Sequence, residues 1–400
     1  MESNYKENFF PTNNFNNEKP EQSKNSIHSA KFKFIKYDYS NTYYVIKKDK
    51  KIPLPSIEEI IKNATKYSKI NMHSCFIQNL LEKENEDGVA DVKNKIFNSI
   101  KEDIFDLSMD FYGNYVIQGI LHLNDKEKNK IIFQKFIEKE IVKLCFNAYG
   151  SRVIQKLIES CINVDDIKKI SDEIKKKDKF NDLFIDENGN HVIQLIIKKL
   201  DEEKLNDIYD AILNGIKYIK NKNKIITNKY GSRVIEALLM KLENKEKRIN
   251  MIDAIFEDDI IELCKNEYSN YVINIILCNN KEYTDKVFQS VKGHIYELSK
   301  DEYALYSLQI IEQLIENGNE DVKKQICEEI FENDNKDNNY IAYLIKNRCG
   351  NYLIRKIIEH CSEEIIKEII NRIKKNNKEN KGYLIYIIQK LKDRGFDIND

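Results

Sequence analysis

Asn114, Tyr115 and Gln118 place two carboxamides and a phenol ring within five residues, and related arrangements recur seven more times along the chain. The first four copies are Ser74-Cys75-Phe76-Ile77-Gln78, Asn114-Tyr115-Val116-Ile117-Gln118, Ser151-Arg152-Val153-Ile154-Gln155 and Asn190-His191-Val192-Ile193-Gln194. The others are Ser232-Arg233-Val234-Ile235-Glu236, Asn270-Tyr271-Val272-Ile273-Asn274, Leu305-Tyr306-Ser307-Leu308-Gln309 and Asn351-Tyr352-Leu353-Ile354-Arg355. Position one is mostly small or polar, position two is aromatic or a planar cation in seven of eight copies, and position five is polar. Flat side chains stack on flat heterocycles, while amides and carboxylates hydrogen-bond their edges. Each copy is therefore equipped to hold one planar ligand by its face and its edge.

These positions must be displayed by helices. At roughly 100° per residue, Tyr115 lies about 100° and Gln118 about 40° from Asn114, whereas Val116, Ile117, Ile120 and Leu121 fall between about 200° and 340°. The polar trio shares one face and the apolar residues the other. The copies begin at residues 74, 114, 151, 190, 232, 270, 305 and 351, separations of 35 to 46, which is the period of a stacked helical pair. Gly113, Gly150, Gly189, Gly231, Ser269, Ala304 and Gly350 precede seven of the copies and suit a tight turn into a helix. Upstream of the second copy, Ile96, Ile100, Ile104 and Leu107 recur at helical spacing and predict one amphipathic helix. Each repeat reads as a helical hairpin, and the fold class as all-α.

Composition agrees with a solenoid. A chain of 400 residues exceeds what one core usually organises, and all four prolines (Pro11, Pro20, Pro53, Pro55) precede a long stretch of uninterrupted helix formers. The formal net charge of −1 gives no global attraction for a polyanion, so recognition has to come from local chemistry. None of the eight cysteines forms a CxxC pair, which predicts reduced, mostly buried thiols and no metal site. His28, His73, His122, His191, His294 and His360 are scattered without a nucleophile or phosphate loop, so no enzymatic site is expected and His191 reads as a stacking residue. Residues 1–30 are polar, with no apolar run for a signal peptide or membrane span, and read as a disordered tail.

A planar ligand presented in series is what single-stranded RNA supplies once its bases are unstacked. Asn with Gln complements uracil, Ser with Gln suits adenine, and a carboxylate such as Glu236 accepts from both donor groups on the guanine edge.

The trios and their spacing resemble those of the Pumilio family of RNA-binding proteins over residues from about 50 to 400. The resemblance implies a right-handed α-solenoid crescent of eight repeats (about 69–361) with an N-terminal cap (about 31–68) and a C-terminal cap (about 362–400). It further implies a monomer without cofactors that binds messenger RNA in the cytoplasm. The RNA would run antiparallel, with the last repeat toward the 5′ end, and the protein would control mRNA stability or translation from 3′ untranslated regions. Co-regulators such as a deadenylase complex would bind the convex face.

Carried onto these positions, the family's code assigns G, U, A, U and A to repeats five to one, from Ser232/Glu236, Asn190/Gln194, Ser151/Gln155, Asn114/Gln118 and Ser74/Gln78. With Asn270/Asn274 of repeat six taking U, the core becomes 5′-UGUAUA-3′. The family's UGUA would normally fall on repeats eight to five, so this register is shifted by two. Leu305/Gln309 and Asn351/Arg355 depart from the family's pattern, and Arg355 is kept only for its motif position.

Two rival readings are a protein-binding scaffold of the HEAT or armadillo type, which does not predict the trios, and a structured-RNA binder of ribosome biogenesis, which the near-neutral charge disfavours. Tyr112, Tyr149, Tyr230, Tyr268 and Tyr303 read as packing residues, and Lys156 as part of a solvated face. Insertions are expected at Ile216 to Lys224 and at Glu332 to Asn339, and the family resemblance implies that the second is a candidate contact for a protein partner on the convex side.

Overall fold

Short helices separated by tight polar turns account for nearly all of the described chain. The computed structural model describes residues 33–36, 43–47, 50–83, 89–161, 163–176, 179–218, 225–300, 304–334, 339–347, 349–376 and 383–397. The predicted tail at 1–30, Tyr303, and most of the two insertions (219–224 and 335–338) lie outside the described residues. The fold is an α-solenoid. It divides into two compact units, Met1–Lys177 and Asp178–Asp400.

Eight helices carry the trios: α1 (Asn71–Glu82), α2 (Gly113–His122) and α3 (Gly150–Ser160) in the first unit. The second unit holds α4 (Gly189–Lys199), α5 (Gly231–Lys241), α6 (Ser269–Asn279), α7 (Ala304–Asn317) and α8 (Gly350–His360). Within each unit, successive helices of this set pack side by side. The apolar pair after each trio's stacking position makes that packing possible. Val116 and Ile117, Val153 and Ile154, Val192 and Ile193, Val234 and Ile235, and Val272 and Ile273 are all fully buried. Each such side chain contributes about 1.5–3 kcal/mol relative to an exposed position.

The hairpin expectation is corrected to three helices in most repeats. Before α2, the run containing Ile96, Ile100, Ile104 and Leu107 is not one helix but Val89–Ile100, a 3-10 turn Lys101–Asp103 and a short helix Ile104–Ser108. The same succession precedes α3, with Lys126–Glu138 and then Ile141–Phe146. Periodicity of three and four survives a single tightened turn, so the break leaves little trace in the apolar pattern. Outer helices start on side-chain caps: Asp125, Asn163, Asn244 and Asn319 each accept from backbone N–H groups one turn on.

The N-terminal cap is not wholly helical. Strands β1 (Lys33–Lys36), β2 (Tyr43–Lys47) and β3 (Lys50–Pro53) form an antiparallel sheet in that order, followed by helices Ile57–Lys62 and Ala64–Ser68. Tyr43 and Val45 are buried while Tyr44 and Ile46 are half-buried, the alternation of a strand with one covered face. The Tyr43 ring lies 4.9 Å from that of Phe76 on α1, so the sheet covers the start of the stack. At the other end, helices Glu363–Asn376 and Leu384–Asp393 form the C-terminal cap, and the latter packs on α8.

Candidate nucleic-acid interface

One side chain four residues before position one builds the turn into most trio helices. Asp110 Oδ1 accepts from the backbone N–H groups of Tyr112 and Gly113 at 2.9 and 2.8 Å. Asn147, Asp186, Asn228, Asn266 and Asn347 do the same for the two residues before their own trios. This Asp/Asn was legible in the sequence but lies outside the five-residue motif. The small residue that follows is required by close approach. A Cβ on Gly150 would sit 2.8 Å from the Leu144 carbonyl oxygen. In repeat six Ser269 fills that place by donating its hydroxyl to the equivalent carbonyl, Leu263, at 2.8 Å.

Repeat seven has a different register from the one its sequence suggested. Ser307 donates to the carbonyl of Leu298 at 2.6 Å, the same contact Ser269 makes, across a connection of nine residues rather than six. Ser307 therefore occupies the turn position. The trio becomes Leu308, Gln309 and Glu312, with Ile310 and Ile311 fully buried at positions three and four. Contacts between neighbouring repeats confirm it. Position nine of one helix meets position six of the next where Cys278 donates to Gln313 at 3.3 Å and where Glu316 pairs with Lys356 at 2.6 Å. Gln309 is thus at the stacking position, not the edge position, and Tyr306 precedes the trio. Three extra residues in the loop displaced a motif that alternative Leu-x-x-x-Gln spacing happened to satisfy.

Position one does not reach outward as expected. Ser74, Asn114, Ser151, Asn190, Ser232, Asn270 and Asn351 are all buried. The amide of Asn114 donates to the carbonyls of Asp110 and Phe111 at 2.8 and 2.9 Å, which turns its Oδ1 toward Gln118 Nε2 at 2.8 Å. Asn190 repeats the arrangement on the carbonyls of Asp186 and Glu187, with Gln194 at 2.7 Å. Asn270 and Asn351 donate to the carbonyls of Asn266 and Asn347. In repeats two and four, position one thereby fixes which end of the position-five amide is presented. In the serine repeats the hold is looser: Gln78 donates to the Ser74 hydroxyl at 3.1 Å and Gln155 to the Ser151 carbonyl at 3.2 Å.

Position five is covered in the first two repeats and part-exposed in the other six. Gln78 and Gln118 are buried, whereas Gln155, Gln194, Glu236, Asn274, Glu312 and Arg355 are half-buried. Burial pushes the Glu236 carboxyl up to about 7 against the pull of Arg233. Burial also pushes Glu312 up to about 7, opposed by Lys356 and Arg355. Asn274 Nδ2 donates to Gln309 Oε1 at 3.0 Å, so position five of repeat six is tied to position two of repeat seven.

At position two, Arg152, His191, Arg233, Tyr271 and Tyr352 are exposed and Tyr115 is half-buried. Tyr352 carries the Arg355 guanidinium 4.3 Å from its ring centroid, so Arg355 covers a ring rather than offering an edge. Cys75, with 2% exposure, is corrected from a stacking residue to a core residue. Lys156 pairs with Glu159 at 3.5 Å on its own helix. Among the described residues, no group of His, Cys, Asp and Glu is placed to hold a metal ion, and no helix is long and apolar enough to cross a membrane.

Comparison with known proteins places this geometry. The model for the Pumilio-family RNA binding repeat matches residues 103–137, 140–175, 185–213, 224–256, 259–289, 294–331 and 340–374, more than half of the chain. Repeat one lies outside those matches. Pumilio homolog 9 of Arabidopsis thaliana is 24% identical over 279 residues, 69% of this chain and 46% of that protein. The chain thus spans about half or less of the length of the curated relatives it matches. The structure is similar to the Puf3 RNA binding domain bound to a Cox17 RNA 3′ UTR recognition sequence, with TM-score 0.66, 27% identity, and coverage of 85% of this chain and 96% of that one. PUF-8 in complex with PBE-RNA matches with TM-score 0.67 and 22% identity over 84% of this chain and 94% of that one, a likeness of fold.

Proposed function

The chain belongs to the Pumilio family of RNA-binding repeat proteins, and from that membership we propose that it binds single-stranded RNA sequence-specifically through the trios of α1 to α8. The observation that carries the proposal is the division of labour within one trio. In α4, buried Asn190 orients Gln194 while His191 stands exposed beside it. An oriented amide offers one donor and one acceptor, complementary to O4 and N3–H of uracil, and the neighbouring flat group supplies the stacking face.

Reading from repeat six to repeat one gives 5′-UGUAUA-3′, with Glu236 accepting from the guanine edge. Glu312, now at position five of repeat seven, is a second carboxylate in the same role and extends the core to 5′-GUGUAUA-3′. At repeat eight the exposed Tyr352, backed by Arg355 over its ring, holds the nucleotide beyond it without choosing its base. The biological role that follows is post-transcriptional control of mRNA stability or translation in the cytoplasm, through sites in 3′ untranslated regions and with protein co-regulators such as a deadenylase complex. The test is equilibrium binding of the whole chain, at fixed salt, to a labelled RNA containing GUGUAUA and to two variants in which either G is replaced by C. Selective loss with both variants is expected. Equal, weak binding to all three would overturn the proposal.

A further inference from the structure

Two thiols meet inside repeat eight. Cys327, on the outer helix Glu320–Glu332, and Cys361, the residue that caps the end of α8, place their sulfurs 3.9 Å apart. Both are free cysteines, Cys327 fully buried and Cys361 3% exposed. Arg394, at the end of the C-terminal helix Leu384–Asp393, donates to the carbonyls of Glu359 and Cys361 at 2.8 and 3.2 Å, so three helices converge on the pair. Cys327 donates its S–H to Cys361, and that bond, with the charges of Lys323 and Arg394, holds the Cys361 thiol below its ordinary value against the opposing effect of burial. The same bond and burial push Cys327 well above that value. Cys161 supplies the contrast. It stands at position eleven of its repeat, as Cys361 does, yet its Sγ donates to the Leu157 carbonyl at 3.3 Å and burial pushes it up to about 11.

We infer that Cys327 and Cys361 form an oxidative modification site, which closes to a disulfide when the chain meets a peroxide. The Cys361 thiolate attacks one peroxide oxygen, forming an S–O bond as the O–O bond breaks, and the departing hydroxide takes up the proton that Cys361 gave up and leaves as water. The Cys327 sulfur then attacks the sulfenic sulfur of Cys361. The S–S bond forms, the S–O bond breaks, and the second hydroxide leaves with the Cys327 proton as water. Two thiols and one hydrogen peroxide become one disulfide and two waters, with two electrons passing from sulfur to peroxide. The sulfurs must approach by about 1.9 Å to reach bonding distance. A second thiol already in contact favours this outcome over further oxidation of Cys361. The linkage ties the outer helix to the end of α8 and restrains the unfolded chain, so repeat eight becomes harder to open.

The test treats the reduced whole chain with hydrogen peroxide, unfolds it in iodoacetamide to block the remaining thiols, and maps its peptides without reduction. A linked pair of peptides holding Cys327 and Cys361, separated by dithiothreitol, is expected, with Cys161 recovered as a blocked thiol. The oxidised chain should melt about 5 °C or more above the reduced one, and dithiothreitol should reverse the rise. Cys327→Ser should lose both the linkage and the rise, and Cys161→Ser should keep both. The peptide map of the unaltered chain decides the matter even where Cys327→Ser fails to fold. Recovery of Cys327 as a free thiol with Cys361 carrying added oxygen, linkage of either residue to a different cysteine, or a rise in melting temperature that persists in Cys327→Ser would each overturn the inference.

Discussion

Asn274 donates its amide to Gln309 across 3.0 Å, joining the edge position of repeat six to the stacking position of repeat seven. Here the shorter Asn, in place of Gln, is met by an amide in place of an aromatic ring. A part-buried neutral hydrogen bond contributes about 0.5–1.5 kcal/mol. In a double-mutant cycle read by urea unfolding, Asn274→Ala and Gln309→Ala should therefore couple by about that amount. Additive effects would mean that the two amides act separately.

Glu236 and Glu312 should make guanine recognition depend on pH. The guanine edge presents two donors, so each carboxyl must be ionised to accept both, yet burial holds both near 7 in the free protein. Affinity for GUGUAUA should rise between pH 6 and pH 8, and an RNA with either G replaced by C should show a shallower rise. Glu236→Gln should flatten the part due to repeat five and shift its preference from G toward A. An unchanged base preference in that variant would sink the assignment.

The same two groups carry a stability prediction of opposite sense. Their folded values lie above the ordinary carboxyl value of 4.5, so their favourable contribution is complete below about 4.5 and is lost as pH rises through about 7. Glu312→Gln should accordingly stabilise the free chain at pH 8, on the order of 1–3 kcal/mol, with little effect at pH 5. Thermal melts at the two pH values check the sign.

Much of the architecture was legible because the trio and its buried Val-Ile pair recur at nearly constant spacing, and burial enforces both. Repeat seven was misplaced because a longer loop moved the turn residue while Leu305, Tyr306 and Gln309 imitated a trio. Three-dimensional contacts, Ser307 to Leu298 and Glu316 to Lys356, identify the register, and no local pattern encodes them. Cys75 matched the stacking position in sequence, but its burial depends on how the first repeat packs. The sheet of the N-terminal cap was readable in the alternation of Tyr43 to Ile46 but is too short to outweigh a helical composition.

The turn into each trio helix makes a prediction about stability rather than binding. Gly350 lies so close to the Leu344 carbonyl oxygen that an added Cβ would stand 2.6 Å from it. Backbone cannot move aside cheaply at that point. Gly350→Ala should cost about 1–3 kcal/mol in urea unfolding. Asn347→Ala, which removes the acceptor for two backbone N–H groups, should cost about 0.5–2 kcal/mol.

Exposure at position two separates two residues that the motif treats alike. Tyr271 is 37% exposed on α6, where a base can lie against its ring, whereas Cys75 is enclosed on α1. Stacking on an aromatic side chain contributes about 1–3 kcal/mol per base and depends little on which base it is. Tyr271→Ala should therefore weaken binding to GUGUAUA and to its single-base variants by similar factors, leaving their ranking intact. Cys75→Ala should leave RNA affinity within about twofold while lowering unfolding stability, because a small buried thiol contributes through packing. Competition binding across the variant RNAs, with a melt of each protein, distinguishes the two roles. A loss of affinity in Cys75→Ala without loss of stability would place that thiol back on the RNA-facing surface.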